Sequence, residues 1–317
     1  MHPSIAIIDY PGALRSAVFG LAELFGLADA ICRRRGLPLR LSTVVVDGTA
    51  LADTPVVGHA AAVLPPTLTH EALAAIDPAL LAWLRAAHAR GTLMASACAG
   101  AFVLGEAGLL DGRPVTTHWR LADTLAERFP AARVQAEAIL VDDGDLLTAG
   151  GLMAWVDLGL ELVARFAGPA VMRELGQVLV VDTAPREQRF YRRFTPRLDH
   201  GDGAIRQAQR HLQADYAGPV SVAALAAEVH LSERSLLRRF VRATGHTPLQ
   251  YLQRLRIGQA CERLETGDTP VEGVARQVGY EDVSAFRRIF VREMGLTPRA
   301  FRARFGHASL VTGVERD

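Results

Sequence analysis

Between residues 225 and 298 the chain repeats one pattern at an interval of about fifty residues, and each copy ends in Gly-x-Thr-Pro. The first copy is LAAEVHLSERSLLRRFVRATGHTP (225–248) and the second is VARQVGYEDVSAFRRIFVREMGLTP (274–298). Ala226 matches Ala275 and Val229 matches Val278 at an offset of 49, whereas Phe240 matches Phe290 at an offset of 50. One extra residue in the second copy, in the turn or at the start of the helix that follows, accounts for the shift. Leu225, Ala226 and Val229 form the inward stripe of a short helix, and a tight turn then leads into a second helix. Ser232 and Asp282 stand where an N-cap accepts from orphan backbone N–H groups. Leu236 with Phe240, and Phe286 with Phe290, are spaced four apart and are expected to bury. This leaves Arg234, Ser235, Leu237, Arg238 and Arg242 outward in the first copy, and Val283, Ser284, Arg287 and Arg288 in the second. Arginine on such a face suits guanine edges or phosphate, and Leu237 suits a thymine methyl or no direct contact.

Leu249 to Leu264 joins the copies as one expected amphipathic helix without internal proline, stopped by Gly267, Asp268 and Pro270. A rigid connector could set two recognition helices roughly 34 Å apart, one turn of duplex. Residues 204–306 thereby resemble the DNA-binding domain of the AraC/XylS transcriptional regulators. The resemblance places the base-contacting face on Arg234, Leu237 and Arg238 in the first unit, and on Val283, Ser284, Arg287 and Arg288 in the second. Charge supports the placement. Residues 204–306 hold 16 Arg and 10 acidic residues, against 18 Arg and 22 acidic residues in 1–203, so the phosphate-facing charge lies in the C-terminal third.

At 317 residues, half of them hydrophobic, the chain is long enough for two cored domains. The expected division is 1–182, a linker at 183–203, a second domain at 204–306 and a tail at 307–317. No run of eighteen apolar residues occurs, and the N-terminus lacks a charged leader followed by an apolar stretch. Three scattered cysteines, Cys32, Cys98 and Cys261, suit a reducing compartment. The expectation is a cytoplasmic protein with no membrane partner, no metal and no cofactor.

The N-terminal part alternates apolar runs with helical patterns. Strands are expected at Ile5–Ile8, Leu39–Val46, Ala60–Leu64 and Thr92–Ala97. Helices are expected near 16–35, 78–90, 99–107, 121–129 and 152–167. This alternation predicts an α/β domain with a mainly parallel sheet covered on both faces, its ligand site at the carboxyl ends of the strands. At one such end Cys98 follows a buried strand and precedes Ala99-Gly100-Ala101-Phe102, the small-residue setting of a nucleophile elbow. The start of a helix there would favour thiolate. Val115-Thr116-Thr117-His118-Trp119 reads as a short strand delivering an imidazole beside the thiol.

Ser-Ala-Cys98-Ala-Gly and Thr-Thr-His118-Trp resemble the ThiJ/PfpI branch of the class I glutamine-amidotransferase-like superfamily over residues 4–182, which implies a flavodoxin-like fold. Active members pair the elbow cysteine with a histidine and, in many cases, an acid early in the first helix. That acid's position falls on Ala17, with Glu23 further along, so catalysis is not expected from Cys98 and His118. A ThiJ/PfpI-like domain followed by an AraC-type domain resembles the GlxA-type transcriptional regulators. The resemblance implies a regulator of double-stranded DNA, with a small-molecule effector held by Cys98, Ala99, Gly100, His118 and Trp119. It further implies a homodimer, and a contact with RNA polymerase in the case of an activator. The competing readings are a Cys98-dependent thiol enzyme, or a redox sensor, carrying a DNA-binding domain.

Overall fold

The computed structural model describes residues 2–51, 58–68, 76–184, 187–191 and 193–306. It divides into two compact units, Met1–Gln188 and Arg189–Asp317. In the first, β1 (Ser4–Asp9), α1 (Arg15–Arg34), β2 (Ser42–Asp47), β3 (Ala61–Leu64), α2 (Pro78–Ala89), β4 (Leu93–Ala97) and α3 (Gly100–Glu106) alternate. There follow β5 (Pro114–Val115), α4 (Ala122–Arg128), β6 (Arg133–Val134), β7 (Leu140–Asp142), β8 (Leu146–Ala149), α5 (Trp155–Ala167) and α6 (Pro169–Leu179).

The main sheet runs β2-β1-β3-β4-β8-β7, parallel except for the β7–β8 hairpin, while β5 and β6 form a separate parallel pair. From β1 to β2 the chain steps one way across the sheet, and from β3 to β4 it steps the other. Right-handed crossovers therefore place α1 and α2 on opposite faces. This is a flavodoxin-like α/β unit. β1, β3 and β4 are buried nearly throughout, because their residues are covered by helices on both sides.

Four features depart from the sequence expectation. The first helices and strands stand within a few residues of their expected bounds, but the strand expected from Leu39 begins only at Ser42. β8 is a central strand of four residues between Gly144 and Gly150, too short to show a period. α6, opened by Pro169 at its first turn, follows α5 across Gly168 alone, which sits at φ 91°. The strand expected to run into His118 ends at Val115, because the Thr116 N–H is taken by the Thr148 hydroxyl (2.8 Å) instead of a neighbouring strand.

The second unit is all helix: α7 (Gly203–Ala214), α8 (Val222–Glu228), α9 (Glu233–Thr244), α10 (Pro248–Thr266), α11 (Val271–Gln277), α12 (Val283–Met294) and α13 (Pro298–Phe305). Ser232 accepts from Ser235 N–H to cap α9, and Asp282 accepts from Ser284 N–H to cap α12. The turns correspond: Leu231 N–H donates to Ala226 O, and Tyr280 N–H to Ala275 O, both at 2.9 Å. The extra residue of the second copy is thus Glu281, between that turn and its cap. α10 opens with a full capping box, Thr247 with Gln250.

α10 is not amphipathic in the expected sense, because it serves two cores. Tyr251 and Leu252 join Leu225, Leu236 and Phe240, whereas Ile257, Ala260, Cys261 and Leu264 join Val274, Phe286 and Phe290. Its apolar residues must therefore face more than one direction.

The stretch read as a linker is held at specific points. Arg193 pairs with Glu265 at 2.6 Å, and Phe194 packs edge-on to Tyr251 with centroids 5.0 Å apart. Asp202 accepts from Ile205 N–H as the cap of α7 and pairs with both Arg239 nitrogens at 2.6 and 2.9 Å. The Arg239 guanidinium holds the Asp202 carboxyl below the usual carboxylate range. A depressed folded-state pKa contributes stability that is present above the unfolded value, about 4, and is lost as pH falls through the folded value. Asp202→Ala is expected to cost about 2 kcal/mol at pH 7 through the cap and the pair. Urea unfolding at pH 7 and pH 3 should show the gap from wild type narrowing at the lower pH.

Candidate functional site

Order in the sheet reverses between β1 and β3, the position at which doubly wound folds open a crevice beyond the carboxyl ends of the strands. Three residues emerge there: Tyr10 just after β1, Pro65 just after β3 and Cys98 just after β4. Tyr10, buried, donates its hydroxyl to Pro65 O at 2.6 Å. Cys98 sits at φ 53°, the left-handed region that a branched or bulky side chain avoids. This is the strained strand-to-helix elbow expected of the sequence. Gly100 makes it possible: a Cβ there would lie 2.6 Å from Leu64 O and 2.9 Å from Pro65 O, so the start of α3 can approach β3 only without a side chain.

The elbow does not activate its thiol. Burial pushes the Cys98 thiol up to about 11, while backbone N–H groups of Ala99 and His118 favour the thiolate by a smaller amount. Cys98 is only 4% exposed. The expected gain from the helix start is overcome because α3 has only seven residues and desolvation acts on the whole charge. Cys261, pushed up to about 12, and Cys32, also raised, are buried as well.

His118 reaches the thiol through its backbone N–H. Its ring is engaged elsewhere: Nδ1 accepts from Arg120 N–H at 3.1 Å, and the ring lies against Trp119 with centroids 5.5 Å apart. Burial, assisted by Arg120, lowers the His118 pKa, so the imidazole is neutral near pH 7 with its proton on Nε2. Arg120 covers the Trp119 ring at 5.0 Å. Ala17, buried on α1, brings no carboxylate to the elbow, and Glu23 is exposed.

Two contributors were not among the expected site residues. Tyr10 is one; its only sequence signal is that it follows the first strand. The other is Gln188, 2% exposed, which donates to Thr117 O and Ala138 O at 2.8 and 2.9 Å and accepts from Trp119 N–H at 3.1 Å. Thr117 in turn donates to Cys98 O at 2.7 Å. Gln188 thus closes a satisfied buried network beneath the loop that carries His118 and Trp119. Gly150 is required opposite it, since a Cβ there would fall 1.8 Å from Gln188 Nε2. A polar residue at the end of a loop gives no sequence signal that it will be buried.

In the second unit Arg234, Leu237 and Arg238 on α9, and Ser284, Arg287 and Arg288 on α12, are exposed, while Leu236, Phe240, Phe286 and Phe290 are buried. Two expected contacts are modified. Ser235 is half-buried and receives the Ser232 hydroxyl at 3.0 Å. Val283 packs partly against the second core, since it lies one turn before Phe286 on the same face. Arg287 pairs with Glu272 of α11 at 2.5 Å.

Among the described residues no helix is long and apolar enough to cross a membrane, and no group of three or more His, Cys, Asp or Glu could hold a metal ion. With every thiol buried, alkylation of the folded chain at pH 7 is expected to be slow. The rate at Cys98 should rise about tenfold per pH unit toward pH 10, because thiolate is the reacting form. Mass spectrometry of iodoacetamide-treated protein checks this, and a plateau near pH 7 would show a low-pKa thiol.

Residues 225–304 match the helix-turn-helix domain family, and residues 43–165 match the DJ-1/PfpI family. The HTH-type transcriptional regulator CdhR of Pseudomonas aeruginosa is 30% identical over 234 residues, which cover 74% of this chain and 69% of that protein. ArgR of the same organism is also 30% identical over 234 residues, covering 73% and 70%. GlxA of Rhizobium meliloti is 28% identical over 212 residues, covering 65% and 64%. With a DJ-1/PfpI unit bearing a cysteine elbow ahead of two capped helix-turn-helix units, the chain belongs to this family of HTH-type, DNA-binding transcriptional regulators.

Proposed function

We propose that the protein reads DNA through α9 and α12 together, and that a small molecule bound at the strand ends of the first unit controls this reading. The observation that carries it is the pairing of two arginine-bearing faces, Arg234 with Arg238 and Arg287 with Arg288, on units joined by the single helix α10. Arg234, Leu237, Arg238, Ser284, Arg287 and Arg288 are assigned to base edges and phosphate. Ser235 and Val283 are assigned supporting positions at the helix starts.

The effector site is assigned to the elbow, with Cys98, Ala99, Gly100, His118 and Trp119 as contributors. Binding is favoured over catalysis by three features: the raised thiol pKa, the imidazole turned to its own loop, and Ala17 in place of an acid. The relatives named above are regulators. A homodimer, a cytoplasmic location and, for an activator, a contact with RNA polymerase complete the proposal.

Affinity for random-sequence duplex should fall steeply between 50 and 200 mM salt, through release of condensed counterions; anisotropy titrations would give the slope. On a selected site, Arg238→Ala and Arg288→Ala should each cost about 1–3 kcal/mol. Their weakened footprints should lie about one helical turn apart, and loss within the same half-site would contradict the two-helix reading. For the effector, a thermal-shift screen of metabolites on the full chain, repeated with Cys98→Ser, separates binding from thiol chemistry. Stabilisation retained in the variant supports binding, and turnover lost in it would support an enzyme.

A further inference from the structure

Near the middle of α10, between the residues committed to one core and those committed to the other, stands Arg256. Its half-buried guanidinium donates three hydrogen bonds to backbone carbonyls: Nε to Tyr216 O at 2.7 Å, Nη2 to Gly218 O at 2.8 Å and Nη1 to Gly279 O at 2.9 Å. Tyr216 and Gly218 lie in the loop that leads into α8, the first helix of the first helix-turn-helix unit. Gly279 lies in the turn of the second. One planar group therefore joins backbone from both units.

The surroundings are shaped to this contact. The Tyr280 ring lies under the guanidinium at 5.4 Å. Tyr216 packs against both cores, and its hydroxyl accepts from Arg263 at 2.9 Å. Gly279 adopts φ 89°, and a Cβ there would lie 2.4 Å from Ala217 O and 2.9 Å from Arg256 Cζ. The corresponding residue of the first copy, His230, adopts φ 55° with its side chain in place. Both turns demand the left-handed region, but only the second is barred to side chains by the guanidinium and by the Ala217 carbonyl.

We infer that Arg256 is a positioning residue for DNA reading: it sets the spacing and angle between α9 and α12, and so the half-site separation the protein accepts. The inference rests on the proposal that both helices read one duplex. Three N–H groups in a rigid fork define a plane and a direction for the carbonyls they meet. Lysine offers one compact charge and cannot hold all three in that geometry. A change of one base pair moves a half-site by about 3.4 Å and roughly 34°, so a unit free to pivot would tolerate a change that a pinned unit rejects.

The test uses full-length wild type, Arg256→Met and Arg256→Lys. Each is measured against a duplex selected from a random pool by the wild type, against the same duplex with one base pair inserted or removed between half-sites, and against random-sequence duplex. Circular dichroism monitors folding. In Arg256→Met, affinity for the selected duplex should fall tenfold or more while affinity for random sequence stays within about twofold. The penalty for changed spacing should shrink to less than twofold, and Arg256→Lys should change in the same direction. A folded Arg256→Met with the spacing profile of the wild type overturns the pin alone, as does failure of both variants to fold, which would make Arg256 a folding residue. A wild type indifferent to spacing overturns the two-helix reading and the pin with it.

Discussion

The DNA-binding unit depends on one constraint: α10 must supply apolar side chains to two separate cores at once. A helix can bury more than one stripe only if different partners cover different faces, and here the partners are the two helix-turn-helix units. Tyr251 and Leu252 serve one, and Ile257, Ala260, Cys261 and Leu264 serve the other. The exposed faces of α9 and α12 follow from this. Once Leu236 with Phe240, and Phe286 with Phe290, are committed inward, Arg238 and Arg288 are left facing solvent, while Arg239 pairs with Asp202 and Arg287 with Glu272.

The first unit shows a competition of magnitudes at one residue. A helix start offers a charged group about 1 kcal/mol at an exposed site and up to about 2 kcal/mol where it is partly buried, and α3 has only seven residues. Raising the thiol from an ordinary value near 9 to about 11 corresponds to roughly 3 kcal/mol against the charged form. Burial wins. The geometry of a nucleophile elbow and the chemistry of an active nucleophile are thus separable.

Gln188 gives the first unit its last fixed point. The residues that follow carry their own attachments within the second unit, where Arg193 meets Glu265, Phe194 meets Tyr251 and Asp202 meets Arg239. The stretch read as a linker is held by particular side chains at each of these places. Composition does not reveal this, because a buried glutamine and a solvated one have the same letter and only the carbonyls around it differ.

Sequence alone determined the parts that rest on local periodicity and local chemistry. These are the paired helix-turn-helix units, Ser232 and Asp282 as caps, the buried pairs Leu236 with Phe240 and Phe286 with Phe290, the flavodoxin-like alternation and the elbow at Cys98. Each depends on neighbours within a few residues, and spacing records such neighbours. Tertiary structure decided the rest. It placed Tyr10, Pro65 and Cys98 at the ends of neighbouring strands, tied the His118 ring to Arg120 and Trp119 of its own loop, ended β5 at Val115 in favour of Thr148, drew Val283 toward the core and brought three distant carbonyls to Arg256. These outcomes depend on residues tens of positions apart. Burial and directional hydrogen bonds there are set by how the elements pack, which no local pattern encodes.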